Sequence, residues 1–233
     1  DWEKTENFFI IFTKKLKMKA LKILSLLFLT LLIVTCKRDD DLIDGNNGSS
    51  ITIGTQEWMV ENLEVTHYRN GDPINNVTDQ GLWSELTTGA YCWYDNDKTA
   101  NEKYGALYNW YAVDDPRGLC PTGWHVPTDA EWSILTTYLG GASVVGGMMK
   151  DISNLWNSPN TDATNSSGFS GLPDGYRSFD GHFDSIGVYG SWWTSTESSA
   201  TSAWFRGLSY DNGFVYENYY SKQYGFSVRC LRD

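Results

Sequence analysis

A chain of 233 residues with 41% hydrophobic side chains has apolar mass for one packed domain plus extensions, and is short for two full domains. Its net charge of −11 repels phosphate backbones, which excludes nucleic acid as a partner. Aromatic residues reach 15%, with 11 Trp and 14 Tyr, a density that fills a core and also suits surfaces that stack on flat or sugar-like ligands.

Residues 1–17 precede Met18 and include an apolar Phe8–Phe12 patch. They read as an over-extended gene start and take no part in the expected fold. From Met18 the chain has a short basic start, Lys19 and Lys22, followed by an apolar run from Ile23 to Thr35. That run is shorter than the roughly twenty residues of a membrane-spanning helix, so residues 18–35 read as a secretory signal. Ile33-Val34-Thr35-Cys36 resembles the lipobox of bacterial lipoproteins, which implies that Cys36 is lipidated and that the lipid bilayer is a partner. Lys37-Arg38-Asp39-Asp40-Asp41 resembles the surface-export signal of Bacteroidetes lipoproteins. The expected location is therefore the outer membrane or cell surface, lipid-anchored. Residues 36–50 end in DGNNGSS, a flexible polar linker, and the folded domain is expected over residues 51–233.

Within that domain, ITIGTQEWMVENL reads as a hairpin: Ile51 and Ile53 alternate, Gly54-Thr55 turn, and Trp58 and Val60 alternate again. Asn70-Gly71-Asp72-Pro73 is a turn. AYCWYDND is an aromatic strand that runs into a polar loop, and YGALYNWYAV is a second apolar segment. Thr128-Asp129-Ala130-Glu131 has the Thr-x-x-Glu pattern of a capping box, and Trp132, Leu135 and Leu139 follow as a helical stripe that Gly140-Gly141 ends. A second short helix is expected around Gly147–Leu155. The remainder is Gly-rich with short strands, which places the fold in the α+β class.

With Cys36 assigned to lipid, three thiols remain, Cys92, Cys120 and Cys230, enough for one pair and one leftover. A bond between Cys120 and Cys230 would tie the middle of the domain to its last strand and leave Cys92 as a buried free thiol. The three lack the CxxC or HxxxH spacing of a zinc site.

WMVENL, YCWYDND, YGALYNWYAV, LCPTGWHVPTDAEW, SGFSGLPDGYR, WWTSTE and GFSVRCLRD occur here in the order seen in the Fibrobacter succinogenes major paralogous domain. The resemblance covers residues 51–233 and implies a secreted or lipid-anchored protein, without implying a reaction. More distantly, WHVPTDAEW and GFSVRC resemble blocks of formylglycine-generating-enzyme-like domains, which share the C-type-lectin-like fold. That resemblance implies two helices beside short irregular antiparallel strands and termini that meet on adjacent strands. It also implies a Cys120–Cys230 disulfide like the lectin-fold link from the first helix region to the last strand.

The chemistry of an enzyme is hard to assemble from these residues. The catalytic cysteine pair of the formylglycine-generating enzymes lies late in the chain, where only Cys230 occurs here. Gly168-Phe169-Ser170-Gly171 is not a G-x-S-x-G nucleophile elbow. His67, His125 and His182 fall in different segments, and His125 at the helix entrance reads as a structural histidine. No cofactor is expected. Calcium is the one that acidic loops would admit, with Asp95 and Asp97 as candidate ligands, although solvated turns are the plainer reading. Sugar binding needs exposed aromatics beside amides and carboxylates. Trp192, Trp193, Glu197 and Trp204 are candidates in the part that carries ligand-facing loops in lectin-like folds, as are Asp211, Asn212, Tyr216 and Asn218. The expected function is an outward-facing binding or adhesion module with a glycan or a surface protein as partner. The alternatives are an enzyme acting on extracellular polysaccharide and a structural, fimbria-associated surface component.

Overall fold

The computed structural model describes residues 49–233. Strands β1 (Ser50–Ile53) and β2 (Gln56–Met59) form the expected hairpin, with Ile51 opposite Trp58. Gly54 makes the turn at φ +65, and a Cβ there would lie 2.9 Å from the Tyr138 ring, so both backbone and packing require glycine. The chain continues through β3 (Asn75–Asn76), a helical turn α1 (Gln80–Ser84) and β4 (Ala90–Cys92). A second helical turn, α2 (Lys98–Asn101), precedes β5 (Leu107–Tyr108) and α3 (Trp110–Val113). These turns start on side-chain caps: Asp79, Asp97 and Asn109 accept the backbone N–H of Leu82, Ala100 and Ala112.

Strand β6 (Trp124–His125) leads into α4 (Asp129–Leu139), the longest helix among the described residues. Its capping box is present as expected: Thr128 Oγ1 accepts from Glu131 N at 3.2 Å, and Glu131 Oε2 accepts from Thr128 N at 2.8 Å. Trp132 and Leu135 are buried on its inner face, Leu139 packs against the same cluster, and Gly140 at φ +122 stops the helix.

The next helix, α5 (Gly146–Met149), is shorter than the Gly147–Leu155 expectation. The cause is Lys150, which leaves the helix in extended conformation to bridge Gly171. Its buried ammonium donates to the carbonyls of Thr161, Ser209 and Asn212 at 2.7, 2.9 and 2.9 Å. The expectation of two helices is corrected in the same way. Among the described residues there are five α-helices, four of them one turn long, and three of these start on side-chain caps that hydrophobic periodicity does not announce.

The C-terminal part is built from strands: β7 (Asp174–Arg177), β8 (Phe183–Ile186), β9 (Tyr189–Ser199), β10 (Ser202–Ser209), β11 (Tyr216–Ser221) and β12 (Leu231–Arg232). Four small sheets result. One has the order β1-β2-β12-β6, one β11-β10-β9, one β3-β4-β5, and β7 pairs β8. All pairings are antiparallel except β3 with β4. The architecture is thus mixed, with few helices and several small, mainly antiparallel sheets. The last strand closes it, since Leu231 sits between Trp58 and His125 in the first sheet.

Among the described residues, two large aromatic clusters fill most of the interior, beside a smaller one around Trp83 and Tyr94. Trp58, Trp132, Phe169 and Trp192 form one, with ring centroids 4.8 to 6.3 Å apart. Trp193, Phe205 and Phe226 belong to the other, at 4.5 and 4.9 Å. A Cys120–Cys230 disulfide, Cα–Cα 6.1 Å, joins the segment before β6 to the one before β12. The free Cys92 is buried, and burial pushes its thiol up to about 12, so it is no nucleophile at neutral pH.

The disulfide closes a loop of 110 residues in sequence separation, for which the chain-entropy model gives about 5 kcal/mol of stabilisation. Replacing Cys120 and Cys230 together by Ala should therefore lower the denaturant midpoint substantially. Adding reductant to the native chain should reproduce the shift, and both effects are read from urea titrations followed by tryptophan fluorescence.

Candidate functional site

Strand alternation splits the C-terminal aromatics between two faces. On β11, Tyr216, Asn218 and Tyr220 line a cleft of about 400 Å³. Glu217 and Tyr219 point the other way, to Arg206 at 3.3 Å and to the edge of Trp204 at 5.4 Å. Phe205 and Gly207 of β10 and Tyr189 and Ser191 of β9 continue the cleft, and Tyr176, Tyr224 and Phe226 complete it. The floor is anchored in the core through Phe226, packed on Trp193 and Phe205. The walls lean on one another, with Tyr220 4.8 Å and Tyr176 5.9 Å from the Tyr224 ring. Tyr189, Tyr216 and Tyr220 nevertheless keep about two-fifths of their surface open, at 40%, 41% and 41%. Gly207 leaves the middle of the floor clear: a Cβ there would meet Phe205 at 3.3 Å and Tyr216 at 3.6 Å.

The lining is uncharged. Burial pushes the phenols of Tyr176, Tyr189 and Tyr224 above their ordinary value, with neighbouring tyrosines and carboxylates adding to the rise, so these hydroxyls stay protonated at neutral pH. Asn212 Nδ2 donates to Tyr216 Oη at 2.6 Å and orients that wall. A second hollow of about 570 Å³ lies beside Glu61, Glu64, Glu102 and Lys103, and no aromatic side chain lines it.

A buried polar relay positions the cleft. Asn62, just after β2, donates to Asp174 Oδ2 at 2.9 Å and to Tyr104 O at 2.8 Å. Its Oδ1 accepts from Trp192 Nε1 at 2.8 Å and from Arg229 Nη2 at 2.6 Å. Asp174 Oδ1 accepts from the backbone N–H of Ser191 at 3.0 Å, which connects the relay to a cleft residue. Asp174 and Arg229 are both fully buried. Burial pushes the Asp174 carboxyl up to about 8 and pulls Arg229 down to about 9, each charge partly offsetting the shift of the other.

The family model of the Fibrobacter succinogenes major domain matches residues 51–232. The chain belongs to this family. No curated protein matches it.

Within this Fibrobacter succinogenes major domain, the residues expected to meet a ligand separate into distinct places. Tyr216 and Asn218 line the cleft. Trp192 and Trp193 do not: they are 1% and 0% exposed, one in each aromatic cluster, because β9 has core on both of its faces. Trp204 stacks on Tyr219 behind the cleft. Glu197 is paired with the Lys222 ammonium. Asp211 and Asn212 lie at the turn after β10, where Asp211 accepts from Ser209 Oγ at 2.7 Å and Asn212 holds Tyr216. Asp97 caps α2 and Asp95 sits in the preceding 3-10 turn at φ 51. Among the described residues no group of three or more His, Cys, Asp or Glu is arranged to hold a metal. His125 is a clamp, its Nδ1 2.8 Å from Asp233 Oδ1 and its Nε2 3.1 Å from Glu131 Oε1. Cys36 lies outside the described residues.

Tyr176, Tyr189, Tyr220, Tyr224 and the two floor phenylalanines were not anticipated. The alternation in YENYYS puts Tyr220 on the face of Tyr216 and Asn218, a signal present in the sequence. Tyr176 and Tyr224 arrive from separate segments and carry no local signal.

The relay has a pH signature. A carboxyl whose folded pKa is raised binds its proton more tightly in the folded state, so its contribution to stability is full below about 4 and is lost as pH rises through about 8. Urea midpoints of the native chain should include this decline between pH 5 and 8, and Asp174→Asn should flatten it.

Proposed function

We propose that residues 51–233 form a non-catalytic binding module whose tyrosine-lined cleft holds a glycan. One observation carries the reading: five tyrosine rings converge on an open cleft whose polar groups are hydroxyls and an amide. Aromatic faces stack on the apolar faces of sugar rings, while phenol, serine and asparagine groups hydrogen-bond the ring hydroxyls. The cleft volume, about 400 Å³, falls in the range of small-ligand sites. Its lining includes no carboxylate, histidine or cysteine to serve as acid, base or nucleophile, which favours binding over hydrolysis.

A C-type-lectin-like architecture belongs to the same proposal. It is supported by the pairing of the last strand with β2, by the disulfide from the segment before α4 to the segment before β12, and by irregular central strands. So do lipidation at Cys36 and placement on the outer membrane or cell surface, which rest on the signal-like run and the lipobox resemblance in residues 18–36. Among the described residues no helix is long and apolar enough to cross a membrane.

The chain should be retained on insoluble polysaccharide without releasing reducing ends. Tyr220→Ala removes one wall and Gly207→Leu fills the floor, and each should weaken retention about ten-fold while leaving the far-ultraviolet circular dichroism unchanged. Reducing-end release that disappears on a single carboxylate substitution would instead establish an enzyme.

A further inference from the structure

We propose that the sugar held in the tyrosine cleft carries a protonated amine, so that the preferred ligand is a hexosamine unit with a free amino group. This rests on the glycan reading and adds a charge to it. The first reason is the wall itself. An aromatic ring presents its negative face to a cation, and Tyr176, Tyr189, Tyr216, Tyr220 and Tyr224 surround one space. The second is the lining's hydrogen-bonding character. Ser191, Asn218 and the phenols all offer acceptor oxygens to an ammonium, and the lining includes no Lys, Arg or His to repel one.

The third reason is the rim. Asp184, Asp211 and Asp180 are exposed carboxylates beside the walls: Asp184 stands opposite Tyr176 in the β7–β8 pair, Asn212 bridges Asp211 Oδ1 to the Tyr216 hydroxyl, and Asp180 follows Phe179, whose ring lies 5.9 Å from Tyr224. Asp180 is already engaged by the Ser178 hydroxyl and stands 3.2 Å from His182 Nδ1. The basic side chains nearby are held elsewhere. Arg206 faces away from the cleft, paired with Asp129 at 2.6 Å and Glu217 at 3.3 Å. Lys222 is buried against Glu197 and the Trp110 ring, and Arg177 is buried between the Trp83 and Phe183 rings. Lys150 sits among three carbonyls, and its charge offsets part of that of Asp211. The exposed carboxylates beside the walls therefore favour a cation over an anion at the cleft mouth. An acidic sugar would be repelled, and an N-acetylated sugar would lose the charge term.

Calorimetric titration of the full chain with glucosamine, N-acetylglucosamine and glucose oligomers of equal length tests this. The glucosamine oligomer should bind at least about five-fold tighter than either neutral oligomer. That preference should shrink as salt is raised, and shrink again in Asp184→Asn/Asp211→Asn, whose two side chains are exposed. Equal or weaker affinity for the glucosamine oligomer, with neutral oligomers still bound, would overturn the charge inference and leave the glycan reading standing. A preference undiminished in the double variant would also overturn it, because the selection would then arise away from this rim. Absence of binding to all three oligomers would remove the glycan reading itself.

Discussion

A buried guanidinium and a buried carboxyl group are joined through one amide, and the rest of the domain is arranged around that relay. Arg229 and Asp174 do not meet directly; Asn62 accepts from one and donates to the other. It also engages Trp192 and the carbonyl of Tyr104, so both of its amide hydrogens and its oxygen are engaged. An unpaired buried charge would cost several kcal/mol, on the order of 3–5. The segment after β2, the loop at Tyr104, β7, β9 and the approach to β12 are therefore held in one geometry. Arg229 gains further support from the Phe169 carbonyl and from the Phe169 ring at 4.3 Å.

The cleft follows from this constraint. Asp174 fixes the backbone of Ser191, and Ser227 N donates to Ser191 O at 3.0 Å, so β9 is held from both sides. With β9 held, Trp192 enters the cluster around Trp132 and Trp193 enters the cluster around Phe226. The Trp193–Phe226 contact is then the base on which the tyrosines stand. Core and cleft share one aromatic continuum, graded from fully buried at Trp193 to two-fifths open at Tyr220.

The elements legible in the sequence were those with local causes. The β1–β2 hairpin was marked by alternation and Gly54, and the start of α4 by Thr128 and Glu131, because each is decided within a few residues. The helix after Val145 was overextended because Lys150 leaves the helical path for carbonyls at positions 161, 209 and 212, which no local pattern reveals. Less of the site was legible. Of the eight candidate contacts, Tyr216 and Asn218 line the cleft. Trp192 and Trp193 were named with them by analogy with ligand-facing loops of lectin-like folds, but β9 lies between two cores and buries both.

Strand β11 forms the edge of its sheet, and Tyr216 to Tyr220 are all exposed. Its side chains shape the cleft and yet contribute little to the buried clusters, which end at Phe205 and Phe226. The exposed faces of this strand are thus only loosely tied to the clusters that keep the chain folded, through Tyr220 on Phe205. Under the binding reading proposed above, Tyr216 and Asn218 can be exchanged to reshape the cleft at small cost to the scaffold, while Glu217 stays to pair the buried Arg206.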